Sequence, residues 1–154
     1  MKIKSFLNKF SSKGFTLIEL LIVIAIMGIL AAGILVAIDP VDKINQANDA
    51  KVQNDISGAG RATEAYVITH NGFYPAGLAD LVSSGELKRA PVAPTGYVYT
   101  FTSLPVACIA GTTCTSITLT SPLKSKNFTT TPFWRYESSS GKSCAVLTAA
   151  TACP

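Results

Sequence analysis

Residues 14–38 read GFTLIELLIVIAIMGILAAGILVAI, and this stretch decides the fold. From Leu20 to Ile38 there are nineteen residues without a charged or strongly polar side chain. A helix over residues 15–38 would be about 36 Å long, which is enough to cross a hydrocarbon core of roughly 30 Å. The stretch therefore predicts a membrane-spanning helix at residues 15–38.

The charges before this stretch indicate its orientation. Four lysines and no acidic residue precede Phe15, namely Lys2, Lys4, Lys9 and Lys13. Basic residues beside a span favour the cytoplasmic side, so we expect everything after Ile38 to lie outside the cytoplasm. These lysines account for the whole net charge of +4, so the basic excess indicates targeting rather than a nucleic-acid-binding surface.

Glu19 is the one charged residue of the predicted span. A carboxylate inside a membrane costs about 2.5–3.5 kcal/mol or more, so it should be neutralised, paired or functional. No Lys or Arg occurs between Phe15 and Lys43, but cleavage after Gly14 would create an ammonium group on Phe15, four residues from Glu19 on one helix face. The alternatives are a Glu19 side chain that reaches the headgroups, a secretory signal cut near residues 31–33, and an uncleaved anchor.

The sequence KGFTLIELLIVIAIMGILAAG, residues 13–33, resembles the N-terminus of the type IV pilin and type II secretion pseudopilin family. The matching features are Lys13 and Gly14 before the cut, Phe15 after it, Glu19, and the long apolar helix. The resemblance implies that a prepilin peptidase removes the basic leader, residues 1–14, and N-methylates Phe15. It also implies that Phe15 and Glu19 of neighbouring subunits pair as a filament grows.

The next segment, residues 39–71, predicts an amphipathic continuation of the helix after a break near Asp39-Pro40. Asn71-Gly72 is a stop signal. Its apolar stripe contains Ile44, Val52, Ile56, Ala59, Thr63 and Tyr66, and we expect Asp49 and the other charged residues to lie mostly elsewhere.

Residues 72–154 predict a globular head rich in β-structure. A short helix is expected at Leu78–Ser84, and strands are expected around Tyr97–Phe101, Ile117–Leu119, Phe133–Glu137 and Ala145–Thr148. The predicted fold class is α+β. It is a pilin fold, in which the long N-terminal helix packs on a roughly four-stranded antiparallel sheet.

Four cysteines lie in this head: Cys108, Cys114, Cys144 and Cys153. An even number beyond a membrane-targeting segment favours disulfides, and of three possible pairings we favour the two local ones, Cys108–Cys114 and Cys144–Cys153. Zinc is the disfavoured alternative, because the spacings lack a tight pair and no histidine is near.

The sequence does not indicate an enzyme, a cofactor or a metal site. His70 is the single histidine, and its place at a predicted helix end indicates capping or exposure rather than general-base chemistry. Lys124, Lys126 and Arg135 lie close in sequence to aromatic residues, so DNA contact is a secondary hypothesis. Residues 39–87 carry a net charge of −4 and residues 88–154 carry +5, which would allow opposite charges to meet between subunits.

We therefore predict a structural subunit of a type IV pilus-like filament, first held in the cytoplasmic membrane and then displayed on a prokaryotic cell surface. The partners that the resemblance implies are further copies of the chain, the prepilin peptidase, an assembly platform and a motor ATPase. The alternatives are a pseudopilin of a type II-like secretion system, a DNA-uptake pilus subunit, and a membrane-anchored binding domain that does not polymerise.

Overall fold

A computed structural model describes residues 14–154, so the predicted leader lies outside the described residues except for Gly14. The described chain divides into two compact units on either side of the Asp39–Pro40 bond.

The first unit contains helix α1, Leu17–Ile38, which has 22 residues. None of its side chains is buried within the chain. Its length and apolar composition meet the requirements of a membrane span, and it is the one helix in residues 14–154 that does. The helix ends at Asp39, whose left-handed backbone (φ 45°, ψ 75°) cannot continue an α-helix.

The second unit begins with helix α2, Pro40–Thr69. Its buried residues are Asp49, Val52, Ile56, Ala59, Gly60, Ala62, Thr63 and Tyr66. Two positions were predicted wrongly: Ile44 is 61% exposed, whereas Asp49 is only 1% exposed. Asp49 lies one helical turn before Val52 and so continues the buried stripe, whereas Ile44 lies near the start of α2, before the first buried residue of the helix.

A four-stranded antiparallel sheet completes this unit, with strand order β1-β2-β3-β4. The strands are β1 Thr100–Leu104, β2 Ser116–Pro122, β3 Phe133–Glu137 and β4 Lys142–Val146. A short helix α3, Leu78–Ser83, precedes the sheet, and a 3-10 helix, Lys126–Phe128, follows β2. Because the sheet packs against α2, the predicted α+β pilin-like fold is confirmed.

Two strands are displaced from their predicted positions. The backbone N–H of Tyr97 donates to the Pro94 carbonyl at 2.9 Å, so Tyr97 still belongs to a turn and β1 starts at Thr100. Strand β4 starts at Lys142, three residues early, because the turn over residues 138–141 pairs Lys142 with Glu137. Turn geometry rather than apolar alternation therefore sets both boundaries.

The core lies between α2 and the sheet. Val52, Ile56 and Ala59 from the helix meet Ile117, Leu119 and Tyr136 from the strands, and all are buried. Gly60 is the point of closest approach, because a Cβ placed there would lie 2.5–2.9 Å from ring atoms of Tyr136. A Cβ on Gly58 would meet no atom within 4 Å. Glycine weakens a helix at either position, but only Gly60 has a packing role.

Both disulfides join cysteines that are close in sequence, Cys108 with Cys114 and Cys144 with Cys153. These are the local pairs that the sequence favours. The first closes the loop between β1 and β2, where the Cys114 carbonyl accepts from the Tyr74 N–H at 2.8 Å. The second ties the C-terminal segment back to β4.

The two glycines of α2 provide a matched test of the helix–sheet contact. We expect Gly60→Ala to destabilise the folded chain by about 1–3 kcal/mol, because the added methyl group must displace the buried ring of Tyr136. Gly58→Ala should instead stabilise it by about 0.5–1 kcal/mol through helix propensity. Urea unfolding of the detergent-solubilised chain measures both, and equal effects of the two substitutions would contradict the packing role of Gly60.

Candidate functional site

The start of α1 is a capping box built from Thr16 and Glu19. Thr16 is the N-cap residue, and its Oγ1 accepts from the Glu19 backbone N–H at 3.3 Å. In return, Glu19 Oε2 accepts from the Thr16 backbone N–H and from its hydroxyl, both at 2.9 Å. The arrangement satisfies backbone donors that a helix N-terminus otherwise leaves unpaired.

The box also fixes the direction of the Glu19 carboxylate. It turns back toward the helix start, where its Oε2 lies 2.9 Å from the nitrogen of Thr16, the residue that directly follows Phe15. An ammonium group formed on Phe15 would therefore be one residue away from an established partner of this carboxylate. The role of Thr16 was not predicted, although the pattern Thr-x-x-Glu before an apolar run is the signature of a capping box.

In the second unit the most deeply buried charge is Asp49. Its carboxylate accepts from the backbone N–H of Lys124 at 2.9 Å, from the backbone N–H of Ser125 at 2.8 Å, and from the Tyr97 hydroxyl at 2.7 Å. Burial raises the pKa of Asp49, but hydrogen bonds involving Ser125, Lys124 and Tyr97 outweigh burial and hold the pKa below its usual value. Asp49 therefore fixes the loop after β2 to the first turns of α2.

Two further tyrosines donate to carboxylates of α2. The Tyr99 hydroxyl donates to Asp55 at 2.6 Å, and the Tyr136 hydroxyl donates to Glu64. Burial, followed by the hydrogen bond to the neighbouring carboxylate, raises the pKa of both phenols above the ordinary value. The phenols therefore stay protonated as donors, and these acidic groups of α2 serve the contact with the head.

The three residues predicted to contact DNA differ in exposure. Lys124 and Lys126 are exposed, and the Lys124 ammonium lies 5.0 Å from the centre of the Tyr97 ring. Arg135 is only 8% exposed, and its guanidinium donates to the Ala149 carbonyl and to Glu137 Oε1. The DNA contact stays a prediction, and the surface offers the two lysines for it rather than Arg135.

Comparisons with known proteins place the N-terminal site within a known sequence motif. Residues 9–35 match the family model for the prokaryotic N-terminal methylation motif. The chain is 40% identical over 101 residues to the type IV wide pilus major component PilA4 of Thermus thermophilus, covering 66% of this chain and 74% of that protein. The chain belongs to the type IV pilin family. A second similar protein is the competence protein ComGC of Bacillus subtilis, with 39% identity over 56% of this chain and 85% of that protein.

No solved structure matches this pilin. The family consists of structural proteins rather than enzymes. The contacts of His70, the single histidine of the sequence, are structural too. His70 stacks on Tyr66 with ring centres 3.7 Å apart, and its Nδ1 lies 2.9 Å from the Tyr66 carbonyl. The ring therefore closes the C-terminal end of α2, in line with the expected capping role.

The capping box predicts a specific effect of Thr16. We expect Thr16→Ala to cost about 1 kcal/mol at the start of α1, because the Glu19 N–H loses its acceptor. Amide exchange at Glu19 in detergent micelles should become about fivefold faster. Thr16→Ser keeps the hydroxyl and should keep the protection, so similar exchange in both variants would disprove the capping role.

The lowered pKa of Asp49 predicts that the folded chain loses stability in acid. Its folded-state pKa lies below the unfolded value of about 3.9, so its contribution is complete above that pH and is lost as the pH falls through the folded-state value. We expect Asp49→Asn to cost about 2 kcal/mol at pH 7, because an amide cannot accept from all three donors. The variant should also show a weaker pH dependence below about pH 4.

Urea unfolding between pH 7 and pH 2 measures both effects. Glu86→Gln is the matched control, since the described part of the chain shows no hydrogen bond to Glu86. An Asp49→Asn variant with unchanged stability at pH 7 would contradict the proposed role of Asp49 in fixing the loop.

Proposed function

We propose that this pilin is a structural subunit of a type IV pilus-like surface filament. A prepilin peptidase removes residues 1–14 by cutting between Gly14 and Phe15, and it methylates the new amino group of Phe15. The observation that carries the proposal is the Glu19 carboxylate, which is turned toward the residue next to Phe15. Support also comes from the match of residues 9–35 to the methylation motif.

The exposed surface of α1 supports polymerisation. None of its side chains is buried within the chain. The span, residues 15–38, therefore needs lipid around it before assembly and other helices around it afterwards. In the filament, Glu19 pairs with the Phe15 ammonium of a neighbouring copy. The pair sets the register between subunits, because the span offers no other charge of either sign.

The remaining segments are the parts of the same filament subunit that lie outside the span. Residues 39–71 continue the helix, and residues 72–154 form the head, which the disulfides of Cys108–Cys114 and Cys144–Cys153 stabilise in an oxidising environment. The subunit starts as a single-pass protein of the cytoplasmic membrane with its head outside. An assembly platform and a motor ATPase then extract it into the extracellular filament.

A second candidate is a subunit of a DNA-uptake pilus, and the similarity to a competence protein favours it. In that case Lys124 and Lys126 are the candidate contacts for DNA, because both are exposed. A pseudopilin of a type II-like secretion system is the remaining alternative within the family. A non-polymerising anchored domain is the alternative outside it.

Removal of the Glu19 charge tests assembly directly. We expect Glu19→Ala to insert in the membrane normally but to lower the filament yield by about tenfold or more, because the buried ammonium of the neighbouring Phe15 loses its partner. Glu19→Gln keeps the size of the side chain and the cap acceptor but not the charge, and it should fail similarly. Electron microscopy and membrane fractionation provide the measurements.

The identity of the mature N-terminus is the second readout. N-terminal sequencing of the filament protein should begin at N-methylated Phe15. Undiminished filaments in Glu19→Ala, or a mature chain that begins elsewhere, would overturn the assembly role. A membrane-stable wild-type protein that never forms filaments would favour the anchored binding domain.

A further inference from the structure

The sheet of the head ends in two open edges. In the order β1-β2-β3-β4, strand β1 pairs with β2 and strand β4 pairs with β3, and within residues 14–154 neither has a second strand beside it. An edge strand presents a row of backbone N–H and C=O groups that can pair with another strand. Each edge of this sheet therefore offers a surface for one further strand.

Strand β1 lacks the features that usually protect an edge. Its five residues include no charged residue and no proline, and Pro105 comes only after the strand has ended. Each residue of β1 has one partner in β2, so no bulge twists the edge away. The side chains of Thr100, Thr102 and Leu104 are exposed. Strand β1 is therefore a regular, uncharged strand whose outer edge is open to pairing.

Strand β4 matches β1 in length and is also regular. It has five residues, each with one partner in β3. Its one charged residue is Lys142, and β1 carries no charge that would repel it. The C-terminal segment, residues 147–154, is bound to the side chains of Arg135, Glu137 and Lys142. The segment therefore lies over a face of the sheet rather than along the backbone of β4.

Strand direction decides which edges can pair in a filament. In this antiparallel sheet of four strands, β1 and β4 run in opposite directions, so two copies that point the same way bring β4 of one antiparallel to β1 of the other. All copies of a helical homopolymer point the same way along its axis. Pairing of two like edges would instead relate the copies by a two-fold axis and stop at a dimer, whereas pairing of unlike edges can continue without closing.

We propose that β4 of each subunit in the filament pairs antiparallel with β1 of a neighbouring copy, so that the sheet continues from head to head. The inference rests on the filament assembly of the proposed function. It adds a contact between heads to the contact between spans, and this contact consists of backbone hydrogen bonds between two strands of five residues.

The rows of the sheet indicate the register of this contact. Thr102 pairs with Thr118, Thr118 with Glu137, and Glu137 with Lys142. An unshifted continuation of this row places Lys142 of one copy opposite Thr102 of the next, with Cβ atoms about 5 Å apart. A shift by two residues would keep the same side chains on each face. It would bring the lysine opposite one of the next exposed positions of β1 on either side.

Carbodiimide cross-linking of intact filaments tests the pairing, because the reagent joins a carboxylate to a nearby amine without a spacer. Thr100→Glu, Thr102→Glu and Leu104→Glu each place a carboxylate at an exposed position of β1. We expect one of them to give covalent dimers and longer ladders through Lys142 of the neighbour, about tenfold more than in wild-type filaments. Thr130→Glu is the matched control and should give no increase, because Thr130 is exposed in the loop between β2 and β3 and lies on neither edge.

A second control removes the amine. Lys142→Arg keeps the positive charge but not the group with which the reagent reacts, so adding it to the productive β1 variant should return the dimers to the wild-type level. Filaments of all three β1 variants without dimers above that level would overturn the proposal. Dimers that Lys142→Arg leaves unchanged would overturn it as well.

Hydrogen exchange in wild-type filaments provides a readout that needs no substitution. Every second amide of β1 and β4 points away from the sheet in the detergent-solubilised subunit, and pairing should slow its exchange about a hundredfold in the filament. Strand β2 has a partner on both sides and should be protected in both states. Unchanged exchange in β1 would overturn the proposal. Slower exchange in β1 without a Lys142-dependent dimer would assign the edge to a different strand and overturn it too.

The strand pairing and the proposed function can fail separately. Wild-type filaments whose β1 variants give no cross-link would exclude the pairing but leave the role of Glu19 in assembly intact. A wild-type chain that forms no filaments would instead overturn the proposed function itself.

Discussion

This protein depends on one constraint, which is the need to cover helix α1. The helix has 22 residues, is largely apolar and buries none of its side chains within its own chain. Such a surface must be covered, and lipid or other apolar helices are the environments that cover it without leaving backbone groups unpaired. The single carboxylate of Glu19 makes these two environments unequal. Within its own chain it accepts from Thr16, and in the proposed filament a neighbouring subunit would add the ammonium group of its Phe15.

The head uses its acidic residues differently. Asp49, Asp55 and Glu64 are not distributed as solvated charges along α2; each accepts a hydrogen bond from a tyrosine of the sheet or the turn before it. Three of the seven acidic residues in 39–87 are therefore hydrogen-bonded to tyrosines of the same chain, which makes them less available for pairing between subunits than the sequence indicates.

Much of the site was predictable from local sequence because its parts lie within six residues of one another. Gly14, Phe15 and Glu19 are recognisable from a basic leader, an apolar run and one isolated acid. Even the missed contribution of Thr16 has a local signal. By contrast, Asp49 looked like an ordinary surface acid, since its three donors come from residues 97, 124 and 125, and no short-range pattern connects them to α2.

The sequence by itself determined the span, the amphipathic helix, the presence of a β-rich head and the favoured local disulfide pairs. Periodicity and uninterrupted apolar length are properties of contiguous residues, and short loops bring nearby cysteines together. Only the tertiary structure decided where β1 and β4 begin, why Gly60 must be small and where the loop after β2 is held. Those features depend on which surfaces meet at close range, because a Tyr136 ring or a buried carboxylate acts on residues that are distant in sequence.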